Sequence, residues 1–125
     1  MTEQKQFDLN QFTGGEERTR YSVLFPRMLL TEGALYVAES MGAYWLMDAI
    51  SSWQPKALQN EELREIQFWK LTVKDNRAVL TCEIDTDRPI IKQKIAYTDF
   101  PLSEMRLWVA PYDERHYSIF LPSEY

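Results

Sequence analysis

The sequence predicts an α+β fold in which N-terminal helices pack on one face of a four- to five-stranded antiparallel β-meander. Two observations lead there. The run from Met41 to Trp53 is the most apolar and most helical of the chain. Within it Leu46, Ala49, Ile50 and Trp53 fall at i, i+3, i+4 and i+7 on one face, with Tyr44, Asp48, Ser51 and Ser52 opposite. The second half of the chain instead alternates apolar and polar residues in successive runs, separated by links too short for parallel crossovers. Helices first and strands afterwards place the helical stripe on a sheet.

Taken in order, residues 1–6 are polar and read as a frayed end. Asp8 is placed to cap a helical turn carrying Leu9 and Phe12, which Thr13-Gly14-Gly15 ends. A solvated link from Glu16 to Arg20 leads to Tyr21, Val23 and Phe25, whose alternation up to Pro26 predicts a short strand. Thr31 is the N-cap expected for a first helix, and Glu32 suits the positive end of its dipole. Leu30, Ala34, Val37, Ala38 and Met41 share that helix's apolar face. Gly42 is expected to make a bend or tight turn into the second helix, which Pro55 stops. Lys56 to Glu65 is polar, and the strands follow. Trp69, Leu71 and Val73 form the first alternating run, then Leu80, Cys82 and Ile84 after an Asp75-Asn76 turn. Ile91, Gln93, Ile95 and Tyr97 form the third, Met105, Leu107 and Val109 the fourth, and Tyr117, Ile119 and Leu121 a shorter fifth.

At 125 residues the expectation is a single globular domain, residues 1–125, able to bury about two thirds of the surface its unfolded chain exposes. A hydrophobic content of 45% and 4 glycines exclude the low-complexity and disordered classes. The lone Cys82 cannot close an intrachain disulfide, and Met1 to Gln6 lacks the apolar stretch of an export signal, so a cytoplasmic location is expected. No apolar run approaches the roughly 20 residues that cross a bilayer, so no membrane association is expected. A net charge of -5 disfavours nonspecific binding to phosphate backbones, although a basic face can sit on an acidic protein.

If Leu71, Leu80, Ile95, Leu107 and Ile119 face the helices, the opposite sheet face shows Phe68, Lys70, Glu83, Lys92, Lys94, Arg106, Trp108, His116 and Phe120. Three readings compete for that face. It suits a protein partner or a homodimer, with aromatics and arginine central and lysines at the rim. It also suits stacking of unpaired bases with phosphate contacts nearby. The plainer reading packs the aromatics under a loop or the N-terminal arm and uses the lysines to blunt a sticky surface. A slip of one residue in register would exchange the two faces.

Other candidates are weaker. Asp48 sits opposite the helical stripe beside Tyr44 and Ser52, where it is solvated or accepts their hydrogen bonds. Asp99, in Tyr97-Thr98-Asp99-Phe100-Pro101, reads as a turn residue. An acid–base pair of Asp48 and Asp99 requires the two to meet in space. Cys82 and His116 fall on opposite faces of the expected sheet, which works against a nucleophile pair. One cysteine and one histidine make no zinc constellation, so no metal is expected, and the glycines match no phosphate-cradling pattern, so no cofactor is expected.

Several strings also carry a family likeness: Gly42-Ala43-Tyr44-Trp45-Leu46, Asp48-Ala49-Ile50, Phe68-Trp69, Tyr97-Thr98-Asp99-Phe100-Pro101-Leu102 and Leu121-Pro122-Ser123-Glu124-Tyr125. In these the chain resembles, from Phe7 to Tyr125, a family of small uncharacterised bacterial and mobile-element proteins known only as a domain of unknown function. The resemblance implies a self-contained bacterial or phage-related protein and assigns no chemistry to any residue. The function expected is therefore a noncatalytic intracellular protein-binding module, an inhibitor or modulator of a host factor. Single-stranded nucleic-acid binding on the exposed sheet face is the alternative, and a small enzyme using Asp48, Asp99 or His116 comes third.

Overall fold

Thr31 opens the first helix as its side chain predicts. In the computed structural model, which describes residues 9–84 and 89–125, its hydroxyl accepts from the Ala34 N–H at 3.2 Å. Helix α1 (Glu32–Ser40) then ends at Gly42, whose φ of +60° is the left-handed turn that closes a helix. The Ala43 N–H reaches back to the Ala38 carbonyl at 2.9 Å, and α2 (Tyr44–Ser52) starts at once. Ala34, Val37, Ala38 and Met41 are buried as the spacing requires. On α2 the buried stripe is Leu46, Met47, Ile50 and Ser51, with Ala49 and Trp53 only half-buried. The stripe is thus rotated from the expected one, and Ser51 lies on the inner side. Its hydroxyl shares a 2.8 Å hydrogen bond with that of Tyr21, which removes the cost of burying it.

Pro55 does not simply stop α2. It occupies the first turn of a further helix, α3 (Gln54–Ala57), where its missing N–H costs nothing. Asn60 then caps α4 (Glu61–Glu65) by accepting from the Glu62 N–H at 2.9 Å. Alternation missed both because each is about one turn long and buries little apolar surface, Ala57 and Leu63 being its buried hydrophobic residues.

The described strands form one seven-stranded mixed sheet in the order β1-β2-β7-β6-β3-β4-β5. These are β1 (Thr19–Arg20), β2 (Met28–Leu30), β3 (Gln67–Lys74), β4 (Arg77–Glu83), β5 (Pro89–Ile95), β6 (Glu104–Pro111) and β7 (Tyr117–Phe120). The α+β class holds, but the four- to five-stranded antiparallel meander does not. Strand β6 pairs with β3 rather than β5, so β6-β3-β4-β5 is a Greek key. The loop after β5 wraps the tip of the β3–β4 hairpin, where Asp75 and Asn76 both take positive φ. There Thr98 N–H donates to the Asn76 carbonyl at 2.8 Å and Val73 N–H to the Ser103 carbonyl at 2.8 Å, delivering β6 to the far side of β3.

At the other end β2 pairs with β7 in parallel, and β1 adds to β2. Runs of two and three residues are too short to show alternation, which is why neither was expected. The strand expected at Tyr21 to Phe25 is instead a pair of turns, closed by Phe25 N–H to Ser22 and Met28 N–H to Phe25 carbonyls. Val23 and Leu24 are 83% and 79% exposed there, so the alternation marked no buried face. Leu9–Gln11 form the short helical turn that was expected, while its proposed cap Asp8 and the frayed end lie outside the described residues.

The inner sheet face carries Trp69, Leu71, Leu80, Cys82, Leu107, Val109 and Ile119, all at most 2% exposed and in one core with the helices. Gln67 is fully buried among them. Its side-chain amide exchanges two hydrogen bonds with that of Gln54, at 2.9 and 2.8 Å, and its oxygen accepts from the Trp69 indole at 2.8 Å. The polar pair ties α3 to β3 with every buried amide group satisfied.

The C-terminal turn closes the other end. The Glu124 carboxylate accepts from the Thr31 hydroxyl at 2.6 Å, the Gly33 N–H at 3.1 Å and the Leu121 N–H at 2.9 Å. It therefore seats a negative charge on the α1 N-terminus. A Cβ on Gly33 would fall 2.5 Å from this carboxylate and 2.7 Å from Leu121.

Three outcomes follow for stability. Glu124→Ala is expected to lower unfolding free energy by about 1–3 kcal/mol, and Gly33→Ala should cost less in that background than alone, because the clash with the carboxylate is gone and only the Leu121 contact remains; denaturant titration of the single and double variants checks it. Gln67→Leu should cost about 1–3 kcal/mol through stranded Gln54 and Trp69 donors, and a Gln54→Leu/Gln67→Leu pair should recover part of it. Burial pushes the Cys82 thiol from 9.0 up to about 12. Folded protein should therefore resist iodoacetamide at pH 8 and react once denaturant is added. Because the unfolded thiol ionises first, its contribution to stability is full below the ordinary thiol range and declines as pH rises towards 12.

Candidate functional site

Burying Trp69 and Leu71 turns Phe68 and Lys70 of β3 outward, since side chains alternate along a strand. Register then assembles the outer face. Phe68 lies beside Glu83 of β4 and Trp108 of β6, and Trp108 lies beside Phe120 of β7. One step along, Lys70 lies between Arg106 and Thr81, with Lys92 beyond on β5. The sheet thus brings Phe68, Lys70, Lys92, Arg106, Trp108 and Phe120 onto one face.

The aromatic residues form a continuous cluster. The ring centroids of Phe68 and Trp108 are 4.9 Å apart and nearly perpendicular, and those of Trp108 and Phe120 are 6.2 Å apart in the same manner. Tyr125 returns over them, 5.4 Å from Trp108 and 6.0 Å from Phe120. Phe120 is consequently 7% exposed, while Phe68 and Trp108 remain half-buried. A depression of about 220 Å³ opens over Phe68 and Trp108, with Lys70, Arg106, Glu83 and Ile84 on its walls.

The charges are partly spent internally. Glu104 holds Lys70 at 3.4 Å and Arg106 at 3.1 Å, and the Arg106 hydrogen bond, followed by Lys70, draws its carboxyl below the ordinary range. Lys92 and Lys94 make no ion pair with a described residue. Beside Phe120 the N-terminal arm crosses the sheet: the Arg18 guanidinium donates to Ser118 Oγ at 3.0 Å and to the Gly15 carbonyl at 2.7 Å. It also lies 5.0 Å over the Tyr112 ring. One end of the face is therefore covered by the arm and the C-terminal tyrosine, and the other is open among the described residues.

The remaining candidates are dispersed. His116 is not on the sheet face: it sits in the β6–β7 connection, its Nδ1 2.8 Å from Asp113 Oδ1. The Arg115 N–H and then the His116 ring hold the Asp113 carboxyl below its usual range. Lys94 shares the outer face with Lys92, opposite Val79 and one step further along β5, and at the sheet edge it also lines a groove against α2. Asp48 is exposed on α2 in that groove, and Asp99 is exposed in the loop after β5, with no hydrogen bond joining the two. Cys82 is buried in the core beneath the sheet, away from His116. Among the described residues no three His, Cys, Asp or Glu side chains gather to hold a metal ion. No described helix is long and apolar enough to cross a membrane.

Sequence reading missed Glu104, Arg18 and Tyr125. Glu104 was legible, two residues before Arg106 and so on the same strand face. The other two reach the face through irregular chain that carries no period.

No curated protein matches the chain. A solved structure, the crystal structure of a protein of unknown function from Enterococcus faecalis, is similar in fold, with a TM-score of 0.53 at 14% identity over 78% of this chain and 89% of that one. Residues 3–125 match a family described only as of unknown function, and the chain therefore belongs to that Family of unknown function (DUF6876).

Proposed function

We propose that this chain is a noncatalytic protein-binding module whose outer sheet face takes a protein partner at the aromatic depression. The observation that carries the reading is the mutual packing of Phe68, Trp108, Phe120 and Tyr125. Phe68 and Trp108 make the half-buried apolar floor, Phe120 and Tyr125 brace Trp108 from the side, and Lys70, Arg106 and Glu83 surround the floor as a polar rim surrounds an interface core. Aromatic residues already fixed by their neighbours lose little entropy on binding, which favours affinity. Base stacking asks for open ring faces. Here Trp108 meets three other rings, and two of the face's cations already neutralise Glu104, so support moves away from single-stranded nucleic acid. The separation of Asp48, Asp99 and His116 onto a helix, a loop and a hairpin connection likewise favours a binding role over catalysis.

Trp108→Ser and Arg106→Glu test the reading on the full chain, with circular dichroism to confirm folding. Immobilised wild-type protein is expected to retain a partner from host extract that both variants bind on the order of thirtyfold more weakly, the loss associated with a central anchor. Equal retention by all three proteins overturns the proposal. Light scattering that shows a wild-type dimer and a Trp108→Ser monomer would identify the partner as a second copy. Labelled oligonucleotides bound at low salt and lost in both variants would replace the protein with nucleic acid.

A further inference from the structure

The two edges of the sheet are unequal. Strand β1 is two residues long, whereas β5 has seven residues and, among the described strands, a hydrogen-bonded neighbour on one side only, β4. An unpaired edge of that length presents a row of backbone donors and acceptors that can pair with another extended chain. Beside it runs a groove of about 520 Å³ between β5 and α2. Its walls are mostly apolar: Trp45 and Ala49 from α2, Ile95 from β5, and Leu24 and Phe25 from the exposed loop, with Asp48 on the helix side and Lys94 on the strand side. The Trp53 indole donates to Gln93 Oε1 at 2.7 Å and fixes the helix against the strand. Along β5 the residues that point away from the core are Lys92 and Lys94, and neither has an ion-pair partner among the described residues.

These features select an occupant. A second copy is disfavoured, because antiparallel pairing of β5 with itself about Gln93 sets each Lys92 opposite the other copy's Lys94, and like charges facing across strands repel. A chain of opposite sign meets no such penalty. We propose that β5 and its groove receive an extended segment of a partner protein as an added strand, with apolar residues turned towards Trp45, Ala49 and Ile95 and acidic residues towards Lys92 and Lys94. Backbone pairing supplies the affinity, and the alternate side chains supply the selectivity. Asp48 repels acidic residues from the helix side of the groove, and Lys94 draws them to the strand side. This surface is separate from the aromatic depression, so either can fail without the other.

The probe is a fluorescein-labelled peptide about as long as β5 that alternates valine and glutamate, titrated by anisotropy at low salt against the full chain. It is expected to saturate, while a peptide alternating valine and lysine binds at least tenfold more weakly. A Lys92→Glu/Lys94→Glu variant should invert that order, and Ala49→Trp, which fills the groove without touching charge, should weaken binding about tenfold. Methylating alternate amide nitrogens of the probe should abolish binding, since those groups could no longer pair with the edge. Trp108→Ser should bind as wild type. Absence of saturable binding, equal binding of the two charge patterns, or undiminished binding of the methylated probe would each overturn the proposal.

Discussion

The alternation along β3 is the constraint on which the rest of this structure depends. Gln67, Trp69 and Leu71 point to the helices and are at most 1% exposed, so Phe68 and Lys70 have no choice but the other side. Because β3 lies between β6 and β4, its register sets both neighbours: Phe68 meets Trp108 and Glu83, and Lys70 meets Arg106 and Thr81. The Gln67 amide adds directional demands that an apolar residue would not. It pairs with Gln54 of α3 and with the Trp69 indole, and a slipped strand would leave all three buried and unpaired. The outer face is thus a consequence of how the inner one is satisfied.

A second tie couples the chain's end to this arrangement. Glu124 closes the N-terminus of α1, which lies against β2 and β7, and the same short turn presents Tyr125 to Trp108 and Phe120. One carboxylate therefore holds a helix, a sheet end and the lid of the aromatic cluster in register. On the same margin of that cluster Arg18 anchors the N-terminal arm to Ser118. These two segments cover one end of the face, while the depression takes its walls from Lys70, Arg106, Glu83 and Ile84.

Charge is distributed unevenly over the fold. The chain carries a net charge of -5, yet its outer sheet face and free edge hold Lys70, Lys92, Lys94 and Arg106. Glu104 offsets one of the two charges of the central pair, and Lys92 and Lys94, without an ion pair to a described residue, stand at the periphery of the sheet. The centre of the sheet and its edge consequently present different chemistry: an aromatic floor with a mixed rim, and a cationic strand beside an apolar groove. Partners drawn to one need not resemble partners drawn to the other.

The local devices were legible in the residues themselves. Thr31 as N-cap, Gly42 as helix stop, the Asp75-Asn76 turn and the inward set Leu71, Leu80, Leu107 and Ile119 depend on side-chain chemistry and period within a few neighbours. The same period placed Phe68, Lys70, Arg106, Trp108 and Phe120 on one face. Only tertiary structure decided which strands lie side by side, because the loop around the β3–β4 tip sends β6 past β4 and β5 to the open flank of β3. It alone recruited β1 and β2, whose few residues carry no pattern, took His116 off the sheet face, and brought Arg18 and Tyr125 onto it. Periodicity records which way a side chain points along its own strand; it carries no record of the neighbour that strand will find, since that choice rests on contacts between residues far apart in the chain.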